Sequence, residues 1–267
     1  MPVHDDEADL ALLLEVAAAA GPLALSYWKH APDAWEKDAG AGPVSEADLA
    51  VNALMEERLR AARPDYGWLS EESADDPARL GCERVFIVDP IDGTRAFLNE
   101  EGGFAHAIAV AERGRVVAAV VSLPVMELVY SATAEGPALR NGTEIRVSDT
   151  ARADGCRVLT SKLSTDPVQW RGPVPVFRHE LRSSLAWRLC LVAEGRFDAT
   201  LSLRPAWEWD TAAASLIATR AGALATDRCG VALQFNGPSA QSNGVVVAPP
   251  VLHAEFIARL RPGPGLD

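Results

Sequence analysis

The sequence predicts an α/β fold, and three observations carry that prediction. Residues 85–88, Val-Phe-Ile-Val, form a short, unbroken, β-branched and aromatic run, the composition of a strand covered on both faces. The span 104–147 keeps a β pattern and contains a hairpin signal at Asn141-Gly142. From about residue 151, strand-like and helix-like segments alternate over short loops, which suggests a second α/β unit. We therefore expect an N-terminal α+β part over residues 1–150 and a C-terminal α/β part over residues 151–267. With 267 residues and 48% hydrophobic content, the chain can bury a full core, as one large domain or two closely packed ones.

At the N-terminus, residues 10–28 form an Ala/Leu-rich run with a single charge, Glu15. The acids before it, Asp5, Asp6, Glu7 and Asp9, have the wrong sign for the n-region of a signal peptide, and Gly21-Pro22 interrupts the run. A buried helix starting near Asp9 is expected, with no targeting segment and a cytoplasmic location. Residues 35–48 are rich in Gly and Pro and read as a mobile loop leading into a helix over 45–62. Ser45 with Asp48 three residues on resembles a capping box, which alone would account for Asp48. The segment 63–67 ends that helix, and a brief strand over 68–70 delivers Glu71 and Glu72. Adjacent acids on a loop are ordinarily solvated surface.

Strands are expected at 106–111, 116–124 and 128–132, and His106, among apolar neighbours, reads as a structural histidine. In the second part, 157–161 reads as a strand, 185–193 as a helix and 197–203 as extended. Asp210 stands at the start of the last strong helix, which runs to 220–222, and is placed as its N-cap. Ala212, Ala213, Ala214 and Ser215 allow this helix to approach another element closely. Residues 261–267, rich in Pro and Gly, read as a frayed end.

The formal net charge of −12 argues against a nucleic-acid polymer or an anionic membrane as partner. An anionic substrate would need local cations to offset that field. Cys82, Cys156, Cys190 and Cys229 are far apart and read as free thiols of a reducing compartment. The five histidines are scattered, which disfavours a zinc site.

The segment Asp89-Pro90-Ile91-Asp92-Gly93-Thr94 carries the chemistry. In a continuous strand, Asp89 and Asp92 would point to opposite faces. Pro90 favours instead a β-turn with Asp89 at its first position, which gathers both carboxylates on one side. Gly93 lets the backbone approach a ligand, and Thr94 is placed to begin a helix whose N-terminal amides attract an anion. The segment thus offers cation ligands beside a phosphate cradle, although a strand, a turn and a capped helix without a ligand fit the same residues.

Three blocks in this order and spacing, Leu69-Ser-Glu-Glu-Ser73, Asp89-Pro-Ile-Asp-Gly-Thr94 and Trp209-Asp-Thr-Ala-Ala213, resemble the inositol monophosphatase superfamily of metal-dependent, lithium-sensitive phosphatases. The similarity covers essentially the whole chain. It implies a layered αβαβα sandwich and a site with two or three Mg²⁺ ions. Glu72, Asp89 and the Ile91 carbonyl would hold one ion, and Asp89, Asp92 and Asp210 a second, with Glu72 sharing a weaker third. Thr94, oriented through Asp48, and Glu72 would position and deprotonate a water. Asp92 and the Gly93 and Thr94 amides would border the phosphate. Related proteins are often homodimers. Charge supports ion binding independently, because carboxylates about 5 Å apart repel by roughly 3 kcal/mol per pair at an effective dielectric near 20.

Inositol-cleaving members usually carry an acid seven residues before the second-block Asp, where this chain has Leu203. Arg204 and Trp207 stand nearby and suit an extra phosphate and an aromatic base, although a packed Trp and a surface Arg would look the same. The segments around Asp48, Glu72, Cys190 and Asp210 resemble the bacterial 3'(2'),5'-bisphosphate nucleotidases of CysQ type, which remove the 3'-phosphate of adenosine 3',5'-bisphosphate. Ser183 stands where that pattern usually has Gly. The expectation is a Mg²⁺-dependent phosphomonoesterase acting on a small phosphate ester, with that nucleotide ahead of inositol-1-phosphate and fructose-1,6-bisphosphate. A non-catalytic cation-dependent binding protein is the alternative of a different class.

Overall fold

The computed structural model describes residues 5–37 and 42–263, so four residues of the predicted 35–48 loop and the last four of the predicted frayed end lie outside it. Helix α1 (Asp6–Tyr27) begins where the Asp5 carboxylate accepts the Glu7 and Ala8 amides. A short ribbon, β1 (Ala34–Glu36) with β2 (Pro43–Ser45), leads into α2 (Glu46–Ala62). Then come β3 (Gly67–Ser70), β4 (Arg84–Asp92), α3 (Thr94–Leu98), β5 (Ala105–Glu112), β6 (Arg115–Leu123), β7 (Leu128–Thr133), β8 (Leu139–Arg140) and β9 (Thr143–Glu144). These seven strands form one sheet in sequence order, with β3 parallel to β4 and every later neighbour antiparallel.

The second half supplies β10 (Arg157–Thr160), β11 (Arg178–Glu180), α4 (Leu185–Ala193), β12 (Ala199–Ser202), β13 (Ala206–Trp207), α5 (Glu208–Arg220), β14 (Leu224–Thr226), β15 (Gln241–Ser242), β16 (Val245–Ala248) and α6 (Pro250–Arg259). A five-stranded sheet is ordered β11-β10-β12-β16-β14, and β13 pairs with β15 apart from it.

The apolar side chains sort into three slabs. Leu13, Val16, Met55 and Leu59 of α1 and α2 pack on Phe86, Val88 and Ile108 of the larger sheet. Its other face, through Ile87, Ala109 and Val121, meets Leu189, Val192 and Ile217 of α4 and α5, which also touch Leu159, Val245 and Val247 of the smaller sheet. Beyond that sheet, Leu252 and Phe256 of α6 cover Val158, Leu201 and Val246. The layers are therefore helix, sheet, helix, sheet, helix, as the resemblance implies.

Three local expectations change. Helix α1 continues through Pro22, whose missing N–H removes one helical hydrogen bond. One continuous buried face, Leu13, Val16, Ala17, Ala20, Gly21 and Ala24, keeps the segment helical through that gap. Although α1 is long and apolar enough to cross a membrane, it serves here as a core helix. At Asp89-Pro90 the chain does not turn; β4 runs on to Asp92 with a bulge against β5 between Asp89 and Asp92. Pro is tolerated there because a bulge needs no ladder N–H. Finally, α5 begins at Glu208, so Asp210 lies within its first turn and is not the N-cap.

Candidate active site

Strand register decides which acids meet. In the parallel β3–β4 pair, Leu69 lies beside Ile87 and Ser70 beside Val88, so the next residue, Glu71, comes beside Asp89. The Glu71 N–H donates to the Val88 carbonyl at 3.3 Å. Alternation keeps Leu69, Ile87 and therefore Asp89 on the sheet face covered by α4 and α5. Asp210 projects from α5 onto that face, and carboxylate oxygens of Glu71, Asp89 and Asp210 lie within 4.8 Å of one another.

This corrects the Glu72 expectation. Glu72 follows the opposite parity, that of Ser70, whose hydroxyl donates to Asn52 of α2. Lys37 Nζ bridges the two acids, 2.7 Å from Glu71 Oε1 and 2.7 Å from Glu72 Oε1. Burial pushes the Glu72 carboxyl up to about 7, with Lys37 opposing.

The bulge brings Asp92 to the same cleft by another route. Its carboxylate accepts Ser184 Oγ at 2.7 Å, the Leu185 amide at 3.1 Å and the Ala186 amide at 2.6 Å, so Asp92 caps the start of α4 from across the molecule. Ser184 is itself the α4 N-cap, its Oγ accepting the Trp187 amide at 2.9 Å. Gly93 then adopts φ of 100°, and a Cβ there would stand 3.3 Å from the Ser184 amide nitrogen. Only glycine combines that backbone with that approach.

Thr94 opens α3, and its hydroxyl lies within donating distance of Asp48 Oδ1, 3.0 Å, and of the Ile91 carbonyl, 3.2 Å. Asp48 accepts the Ser45 amide and hydroxyl through its other oxygen, so the capping-box reading and the contact with Thr94 both hold. Asp48, Asp89, Asp92 and Thr94 are all buried.

Those carboxylates are crowded. Burial, then the charges of Glu71, Asp92 and Asp210, raises the Asp89 carboxyl well above its ordinary range. Burial and the Asp92 charge do the same to Asp210. Asp92 is pushed up to about 6 by burial, against the donors of α4. Buried, mutually repelling hard oxygen donors suit a divalent cation such as Mg²⁺, whose charge would offset the repulsion.

These groups line a cleft of about 480 Å³ together with Gly42, Pro43, Arg95, Leu181, Ser183 and Arg188. Arg188 donates to the carbonyls of Arg182, 2.6 Å, and Ser183, 3.1 Å. The expected selectors stand elsewhere. Arg204 is exposed, and Trp207 stacks on Trp209 with ring centroids 4.6 Å apart; neither lines the cleft. Arg95, Arg188 and Lys37 were not singled out from the sequence, although Arg95 follows Thr94 directly.

The chain matches the model of the inositol monophosphatase family over residues 5–263. It is 36% identical over 198 residues to the 3'(2'),5'-bisphosphate nucleotidase CysQ of Salmonella typhimurium, covering 72% of this chain and 79% of that protein. It is 34% identical over 196 residues to an inositol-1-monophosphatase of Rhizobium meliloti, covering 69% and 71%. Among solved structures, the extragenic suppressor protein suhB of Bartonella henselae superimposes with a TM-score of 0.79 at 25% identity, covering 94% of this chain and 97% of that one. The Thermotoga maritima IMPase gives a TM-score of 0.81 at 24% identity, covering 95% and 96%. A family match across nearly every described residue, joined to that degree of identity and to a cleft lined by buried acids, means that the chain belongs to the inositol monophosphatase family and is a phosphatase.

Proposed function

We propose that this phosphatase is a Mg²⁺-dependent phosphomonoesterase whose substrate carries a second phosphate, and that adenosine 3',5'-bisphosphate is hydrolysed to AMP and phosphate. The observation that carries this reading is the pairing, in one cleft, of the acidic cluster with Arg95 and Arg188. The acids suit cations that bind the reacting phosphate, and the arginines suit a second anion, which a chain of net charge −12 would otherwise repel. The bisphosphate nucleotidase relative supports the same substrate class.

Glu71, Asp89, Asp92, Asp210 and the Ile91 carbonyl would hold the Mg²⁺. Bound there, the metal would supply Lewis-acid activation of water and of the phosphoryl oxygens. The remaining work falls to side chains. With its proton given to Asp48, the Thr94 oxygen is an acceptor that orients the attacking water, while Glu71 takes up the proton that water releases. The water oxygen bonds to phosphorus as the ester oxygen leaves, and the leaving oxygen takes a proton from solvent. Arg95 and Arg188 orient the ester by its other phosphate.

The test is phosphate release with Mg²⁺ from adenosine 3',5'-bisphosphate and from inositol-1-phosphate, using the wild type and Arg188→Met. The expected result is faster release from the nucleotide, with KM for it raised about 10–100-fold in the variant and inositol-1-phosphate turnover little changed. A preference for inositol-1-phosphate would overturn the nucleotide assignment. Tight Mg²⁺ binding with no release from either ester would favour a cation-dependent binding protein.

A further inference from the structure

We propose that His106 is a positioning residue, which sets the separation of Asp89 and Asp92 by holding the Pro90 carbonyl at the bulge of β4. The inference rests on the reading that these carboxylates bind a cation. Across the β4–β5 pair, Asp89 lies opposite Ala107 and Asp92 opposite Ala105. Two residues, Pro90 and Ile91, therefore oppose one, and that one is His106.

A bulge leaves ladder groups without their regular partners, and Pro90 brings no N–H of its own. The groups around it are met by side chains. The Ile91 amide donates to Asp89 Oδ1 at 3.0 Å, and the Ile91 carbonyl faces the Thr94 hydroxyl. The Pro90 carbonyl lies 2.5 Å from His106 Nδ1. A carbonyl can only accept, so Nδ1 carries the ring proton and Nε2 is left as a lone pair.

That tautomer is unfavourable elsewhere. His106 is fully buried, and Nε2 has no hydrogen-bond partner among the described residues. The ring stands edge-on to Phe104, with centroids 6.3 Å apart, on the sheet side lined by Phe104, Ile108 and Val110. Burial lowers its pKa to about 4, so the ring is neutral under ordinary conditions. A valine would fill such a position without stranding a polar atom. What the histidine adds is the bond to Pro90, and Pro90 sits between the acids of the cleft.

The displacement it prevents is directional. Freed of His106, Pro90 and Ile91 can relax along the strand, altering the spread of Asp89 and Asp92 and the aim of the Ile91 carbonyl. A group that orients ligands without touching the ion typically changes metal affinity by about 10–100-fold when removed.

The experiment compares His106→Val with His106→Asn, whose side-chain amide can stand in for Nδ1–H. Calorimetric titration with Mg²⁺ should show affinity about tenfold or more weaker in the Val variant and largely recovered in the Asn variant. Hydrogen exchange of the peptide spanning 88–95, read without metal, should speed up in Val and return toward wild type in Asn. Melting temperatures identify either variant that fails to fold. Wild-type affinity and exchange in the Val variant, or equal loss in both, would overturn the role of His106. If the wild type takes up no Mg²⁺, the metal reading fails by itself, and exchange alone decides whether His106 holds the bend.

Discussion

Replacing Glu71 by Gln removes one charge from the cluster and keeps the side-chain shape. Carboxylate oxygens there lie within 4.8 Å of one another, so a cation among them sits within about that distance of Glu71. Unit charges 4.8 Å apart interact by about 3.5 kcal/mol at an effective dielectric near 20, which corresponds to about 300-fold in affinity. Counting one net charge on the ion, because the remaining acids offset the rest, Glu71→Gln should weaken Mg²⁺ binding by that factor. Glu72→Gln should weaken it by less than about tenfold, since its carboxylate is paired with Lys37 and stands outside the Glu71–Asp89–Asp210 cluster. Calorimetric titration of both variants decides the matter. Equal losses, or a greater loss at Glu72, would refute the register argument that brings Glu71 beside Asp89.

Asp92→Asn should lose activity and also stability, because its carboxylate receives three donors at the start of α4 and an amide presents an NH₂ to at least one of them. The cost is about 1–3 kcal/mol, or a drop of roughly 2–10 °C by calorimetry, and an unchanged melting temperature would contradict the capping role. The pH dependence follows from the crowding. Asp92 moves from an ordinary 3.8 up to about 6, so the folded metal-free protein binds protons that the unfolded chain releases. Its stability therefore falls as pH rises through that window, and Asp89 and Asp210, raised in the same sense, add to the fall. Mg²⁺ competes with those protons, so the rise in melting temperature on adding it should be larger at pH 7 than at pH 5; an equal rise would count against a cation at these acids.

Patterns that depend only on local chemistry were legible. The helix expected over 185–193 is α4, Leu185–Ala193, because an apolar run between Ser184 and Glu194-Gly195 leaves little choice of ends. Ser45 and Asp48 likewise marked the start of α2. Tertiary packing decided the rest. Pro22 stays helical because a buried face outweighs one lost hydrogen bond, and Asp89-Pro90 stays extended because β4 bulges there while keeping its pairing with β5 on either side. The choice between Glu71 and Glu72 was available in principle from alternation after Leu69, but it needed the β3–β4 register, which a single sequence does not state. Arg188 was hidden among apolar neighbours, and only the turn of α4 aims it at the cleft.

Asp92 reaches across to α4, and Asp210 arrives on α5, so the acids of the cleft come from both halves of the chain. Once β9 has emerged from the ribosome, every strand of the larger sheet is outside it, and Asp89 and Asp92 with them. At that stage the nascent chain has acids but no cleft. The cleft closes only after the α5 segment has emerged and both central helices have docked, so a product truncated before residue 208 lacks Asp210 and one wall of the cleft.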